Sequence, residues 1–236
     1  KQPDAWMAKL KAALRRMSRE HPELGYMKIA RLLKKAGWRV GARLIQRQRQ
    51  QLGLMVPVKK PKRRRCGIST GLPTKATHPN HVWTWDFVHD TTMRGGKLRM
   101  LTVLDEYTRQ SRCIHVDRKI NARKVRSIMS RLIAEHGAPE HIRSDNGSEF
   151  IESFHARLRD ECLNREMLYT LTEARVVVED WRWKYNHLRP HGSLGYISPI
   201  EFEQKLESES STQGKSSSRP PASFRPSLDL LYTLNL

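Results

Sequence analysis

At residue 81 the apolar period of the chain switches from that of helices to that of strands, which constrains the fold more than any other feature. "HVWTWDFV" alternates strictly, with Trp83, Trp85 and Phe87 on one face and Val82, Thr84, Asp86 and Val88 on the other. "KLRMLTVL" (97–104) is a second strand, and "TTMRGG" before it supplies a hairpin turn. "RCIHV" (112–116) is a third. A helix is predicted over about 122–136, with Val125, Met129, Leu132, Ile133 and His136 on one side, Asn121 as its cap and Gly137 as its end. "EHIRS" (140–144) is a short fourth strand that arrives at Asp145. Helices follow from about 151, with Phe154, Leu158 and Cys162 spaced by four, and over 171–187, with Ala174, Val177, Val178, Trp181 and Tyr185 inward. Thr170 and Glu173 have capping-box spacing. The order β-β-β-α-β, then helices, predicts a mixed sheet of α/β type.

Upstream of the switch the pattern is helical throughout. Three helices are predicted, over 5–17, 26–36 and about 41–52, and Gly37 and Gly53 end the last two. The second turns Ile29, Leu32, Leu33 and Ala36 inward, and the third carries Leu44, Ile45 and Leu52. Between those apolar positions lie Arg43, Arg47 and Arg49 with four glutamines, side chains that pair with guanine and adenine edges. This suits a small all-α helix-turn-helix domain over 1–55. The plain alternative is a three-helix bundle with a basic surface. Residues 56–80 follow as a basic linker, in which Lys59, Lys60, Lys62, Arg63, Arg64 and Arg65 would track phosphates without reading sequence. Residues 204–236, rich in serine, proline and charge, are expected to form a disordered tail.

Charge separates the same two regions. Residues 1–79 hold 21 Lys and Arg against three acidic residues, whereas the remaining 157 hold 23 basic and 21 acidic groups. A basic front on a nearly neutral body points to a polyanionic partner, double-stranded DNA above all. No window approaches a membrane span, no secretory signal is visible, and a cytoplasmic, nucleoid-associated protein is expected. Cys66, Cys113 and Cys162 are far apart, so a disulfide framework or cysteine zinc site is not expected. The sequence opens on Lys1, which fits one segment of a longer reading frame.

The acidic residues of the body suggest chemistry. Asp86 sits mid-strand among apolar neighbours, where a buried carboxylate needs a partner or a metal. Asp145 follows the fourth strand and precedes Asn-Gly, so it serves either a turn or a site. If strands one and four are neighbours, the two carboxylates converge. Convergent carboxylates call for a divalent cation, and two such ions suit phosphodiester chemistry. Glu152 at a helix start either complements the helix dipole or joins this group. His89, His115 and His141 are expected to be ordinary packing or surface residues.

"HPNHVWTWDFVHD", "LTVLDEYTR", "HGAPEHIRSDNGSEF" and the run from "IESFHARLRDECLN" to "HGSLGY" resemble the DDE transposases of bacterial insertion sequences. "HPELGYMKIARLLKKAGWRV" resembles the helix-turn-helix segment that precedes their core. The resemblance covers roughly residues 5–203 and implies a retroviral-integrase-type catalytic core with an RNase H-like fold, over 81–203. It assigns catalytic and metal-binding roles to Asp86, Asp145 and Glu152, with Mg²⁺ or Mn²⁺ as cofactor. It also implies a homo-oligomer on DNA that exposes a 3′-hydroxyl at an element end and joins it to target DNA. The chain departs from the family in one place. Asp145 and Glu152 are only seven residues apart, which leaves about 29 residues short between Phe150 and Ile151. A helix and a fifth strand of the family would fall there, so a shortened, four-stranded core is expected, weakly active or inactive. The alternative is a catalytically defective DNA-binding protein, a transposition inhibitor or relic. A weaker third reading is a nuclease acting on RNA–DNA hybrids.

Overall fold

The computed structural model describes residues 4–56, 75–144 and 149–213. The chain divides into two compact units, Lys1–Ile68 with Pro190–Tyr196, and Ser69–Arg189 with Ile197–Leu236.

In the first unit, α1 (Asp4–Glu20), α2 (Tyr26–Lys35) and α3 (Ala42–Gln51) enclose Leu10, Leu14, Leu24, Ile29, Ala30, Leu33, Val40 and Ile45. Gly37, at φ +86°, lets the chain leave α2 in a conformation that L side chains rarely adopt. Helix α3 buries Ile45, Gln48 and Arg49, one stripe at spacings of three and four. Its other face exposes Arg43, Arg47 and Gln50.

The second unit is built on β1 (Val82–Thr91), β2 (Lys97–Asp105), β3 (Ser111–Asp117) and β4 (His141–Ser144). The order is β3-β2-β1-β4; the first three strands pair antiparallel, and β4 runs parallel to β1. Strands one and four are therefore neighbours, and the architecture is the expected α/β, RNase H-like sheet of four strands. Alternation sorts the two faces. Trp83, Trp85, Leu101, Val103 and Cys113 meet α4 (Ala122–His136) through Val125, Ile128, Met129 and Leu132. Val88, Leu98, Met100, Leu104, Ile114 and Val116 meet α5 (Glu149–Leu158), the π-helical turn Arg159–Leu163 and α6 (Leu171–His187). The caps lie where the sequence places them. The Asn121 side chain accepts the Lys124 N–H, and Thr170 and Glu173 form a reciprocal capping box.

The fourth strand is an edge strand of four residues, and shortness is one way in which sheets blunt an edge. The predicted tail needs correction. Helix α7 runs from Pro199 to Gln213, so its last ten residues are helical where disorder was expected from 204. The first turn of this helix is docked: Glu203 bonds Arg112 and Gln110, and Phe202 meets Tyr107. Residues 214–236 lie outside the described residues.

Candidate active site and nucleic-acid face

The site starts from Asp86, in register with Thr102 of β2. Even positions of β1 face α5 and α6, so Asp86 points to that side. Its carboxylate is 43% exposed, which corrects the expectation of a buried aspartate. One oxygen accepts the Phe87 N–H at 2.7 Å. Among the described residues no lysine or arginine pairs with it.

Helix α5 lies across this position. It is seated by Ile151, Phe154 and Leu158 below and by the rings of Trp181 and Tyr185 against Phe154. At its start the Arg109 guanidinium lies 3.5 Å from the centre of the Phe150 ring. Beyond its end, Arg189 grips Glu161 in a nearly buried fork, at 2.8 and 2.7 Å.

This seating brings in His155, which sequence reasoning missed. Its Nδ1 lies 3.7 Å from Asp86 Oδ2, and its Nε2 lies 2.8 Å from Thr102 Oγ1. The Thr102 hydroxyl donates to Asp86 O at 2.9 Å, so the ring proton belongs on Nε2 and Nδ1 is bare. Two acceptors then face each other across 3.7 Å, an arrangement that a cation between them relieves. Burial, the leading cause, lowers the His155 pKa from its ordinary 6.5 against the opposing pull of Asp86. The only sequence signal was the spacing from Phe154 and Leu158, which sets residue 155 at the margin of the buried stripe.

Glu152 lies one turn before His155 on the same helix and is exposed. Glu149 shares that first turn. Asp145 lies outside the described residues. The residue before it, Ser144, is registered with Trp85, the neighbour of Asp86.

The basic residues divide. Arg43 and Arg47 face outward from α3. Arg49 does not, and its assignment to DNA contact is corrected. It is buried, and donates to Leu24 O at 2.6 Å and to Leu54 O at 2.9 Å. Residue 49 follows Ile45 by one helical turn and so shares its inward face. Lys59, Lys60, Lys62, Arg63, Arg64 and Arg65 lie outside the described residues. Cys113 and Cys162 are free and buried, and burial raises their thiols to about 11 and about 12, well away from reactive values.

Burial is also the leading cause that lowers the pKa of His115 and His136 from 6.5, as for His155. The unfolded chain then binds more protons than the folded one as pH falls through 6.5, so stability rises with pH across that window. The urea midpoint is expected to be flat above about pH 7 and to fall on acidification from there towards the depressed folded values. His155→Gln, which keeps a donor for Thr102, should remove part of that slope. A midpoint unchanged between pH 7.5 and 5.5 would contradict the assignment.

An integrase core domain is the family model that matches, over residues 138–199, the span from the approach to β4 through α6. The sheet order and this match define an integrase-core protein. The insertion element IS407 uncharacterized 31.7 kDa protein of Burkholderia multivorans is 32% identical over 234 residues, covering 86% of this chain and 83% of the relative. The insertion element IS476 uncharacterized 39.2 kDa protein of Xanthomonas euvesicatoria is 30% identical over 231 residues, covering 86% of this chain and 66% of the relative. The chain belongs to this family of bacterial insertion-element proteins, the DDE transposases with an integrase core. The first of these alignments is 234 positions long, yet 86% of 236 residues is about 203, so about 31 positions face gaps in this chain. That matches in size the segment short between Phe150 and Ile151. Among solved structures, the HTLV-2 integrase catalytic core domain in complex with magnesium (dimeric form) aligns at 16% identity and TM-score 0.42, covering 54% of this chain and 98% of that one. A simian T-cell lymphotropic virus intasome in complex with PP2A regulatory subunit B56 gamma aligns at 15% and 0.44, covering 91% and 79%.

Proposed function

We propose that this protein binds double-stranded DNA through its basic first unit and linker, and acts on it through a metal-dependent DNA cleavage and strand-transfer core with reduced turnover. The observation that carries this reading is the seating of α5. Although the approach to it is short, the helix docks beside Asp86, with His155 Nδ1 3.7 Å from the carboxylate. The half-exposed carboxylate fits Mg²⁺ or Mn²⁺, which Asp86, Asp145 and Glu152 would hold as in the family, with the bare ring nitrogen beside it. Bound there, the ion would activate a water or 3′-hydroxyl and balance charge on the scissile phosphate. The chain's own part is to hold Asp86 by the Phe87 N–H and to hold His155 by the Thr102 hydroxyl. Glu152 is exposed at the start of α5, and among the described residues nothing clamps it, so the third ligand is aimed loosely. By analogy with the oligomeric integrases, the working form is a homo-oligomer on paired DNA ends.

Strand transfer on labelled element ends tests the reaction. Slow turnover in Mg²⁺ or Mn²⁺, lost on Asp86→Asn while DNA binding persists, is expected. Turnover that survives Asp86→Asn would remove Asp86 from the site. A protein that binds ends, shows no turnover in either metal and blocks a full-length transposase would establish the inhibitor reading, which the exposure of Glu152 favours.

The DNA face has its own test. Arg43 and Arg47 share the outward side of α3, where they can reach phosphates or base edges. Arg47→Ala should weaken binding; if Arg47 contacts a phosphate, the salt slope falls by about 1. Affinity indifferent to salt would argue against DNA as the partner.

A further inference from the structure

A second cluster of ligating side chains lies at the opposite end of the same two strands. His81 immediately precedes β1, and Glu140 and His141 open β4. One ligand atom from each falls within 4.8 Å of the others. The donors of a tetrahedral ion, each 2.0–2.1 Å from it, are about 3.4 Å apart. His81 Nε2 is already 3.8 Å from Glu140 Oε2. Asp86 is five residues further along β1, on the order of 16 Å away at about 3.3 Å per residue. This cluster is therefore separate from the carboxylate site.

Its supports are built. The Glu140 N–H donates to Asn80 O and the His141 N–H to His81 O, so backbone bonds hold the ligands in register. His78 Nε2 lies 2.7 Å from Glu140 Oε1 and orients the carboxylate, and its ring stacks on that of His81. Thr77 offers His81 Nδ1 both its N–H at 3.1 Å and its hydroxyl at 3.2 Å. That N–H makes Nδ1 an acceptor and sets the proton of the metal-free ring on Nε2, towards Glu140; a metal on Nε2 moves the proton to Nδ1, where the Thr77 hydroxyl takes it and the Thr77 N–H bond is given up.

The geometry points to a transition-metal site, His81–Glu140–His141 with His78 as the supporting residue, that takes Zn²⁺ and clamps β4 to β1. Two imidazoles and a carboxylate suit Zn²⁺ or Co²⁺, whereas Mg²⁺ prefers oxygen alone. The clamp has a physical use. The edge strand β4 pairs with β1 over only four positions, and its last residue, Ser144, leads directly into Asp145. A metal at the start of β4 fixes the register that delivers Asp145. His141, expected to be an ordinary surface residue, is then a ligand. The site rests on the strand pairing and not on the catalytic reading.

Zn²⁺ titration of the full chain, freed of metal beforehand, tests this by calorimetry, with hydrogen exchange followed alongside. One ion is expected to bind, unaffected by millimolar Mg²⁺ and by Asp86→Asn, and to slow amide exchange over 141–144. His141→Ala should weaken binding more than about 100-fold, and His78→Ala by about 10–100-fold. Co²⁺ should show the visible absorption of a four-coordinate site. His141→Gln, at an exposed position, serves if the alanine variant folds poorly. No bound Zn²⁺, no protection over 141–144, or binding that survives His141→Gln and is lost on Asp86→Asn would overturn the site.

Discussion

Asp105→Ala is expected to cost the second unit about 3–5 kcal/mol, a large part of the 5–15 kcal/mol of a typical domain. The side chain is fully buried at the end of β2. One oxygen accepts the N–H groups of Tyr107 and Thr108, and so closes the turn into β3. The other accepts the Asn80 N–H, across 25 positions of sequence, and faces Arg112 at 3.3 Å. Truncation leaves three backbone donors without their acceptor, that of Thr108 buried and those of Tyr107 and Asn80 half-buried, and each loses a charge-assisted bond. Arg112 suffers less, because it keeps Glu203 at 3.1 Å and Asn80 Oδ1 at 3.2 Å. Glu203→Ala, whose carboxylate is 23% exposed, should therefore cost much less, about 1 kcal/mol. Urea unfolding read by tryptophan fluorescence separates the two. Equal losses would mean that the ion pair, and not the backbone donors, dominates.

Replacing Arg49 by methionine should destabilise the first unit by about 2–4 kcal/mol, from two lost charge-assisted bonds. Methionine restores much of the aliphatic volume, so the loss reports the carbonyls of Leu24 and Leu54, left without their donor. Lysine keeps the charge but has a single nitrogen where Arg49 uses Nε and Nη1 in a planar fork, so it should recover only part. The measurement has a second use. A phosphate-contacting Arg49 would lower DNA affinity and leave the melting temperature of that unit unchanged. The opposite pattern is expected, with stability lost first. Arg47→Ala provides the contrast, because that residue is exposed.

The two arginines show what was legible in the sequence. Helical spacing groups Arg49 with Ile45 and sets Arg47 a turn from Arg43, so the division between them was available. Composition obscured it, since a run of Arg and Gln reads as one basic surface. His155 was harder. Its role depends on Asp86 and Thr102, 69 and 53 positions earlier, and no periodicity names such partners. The clamp of His81, Glu140 and His141 was hidden for the same reason: parallel pairing of β1 with β4 unites residues nearly sixty positions apart.

By itself the sequence determined the kind and order of the elements, their inward faces and their caps. Those follow from spacing and from side chains that bond their own neighbourhood, as at Asn121 and at Thr170 with Glu173. It also carried the spacing of seven between Asp145 and Glu152, which the resemblance to the family marks as a shortfall. Only the tertiary structure decided that Asp86 is half exposed, that Arg49 turns inward, that α7 docks on β3 through Glu203, and that α5 seats beside Asp86. Each is a matter of burial or of a partner distant along the chain. Local propensity cannot set these, because they are resolved only when the sheet brings its faces and ends together.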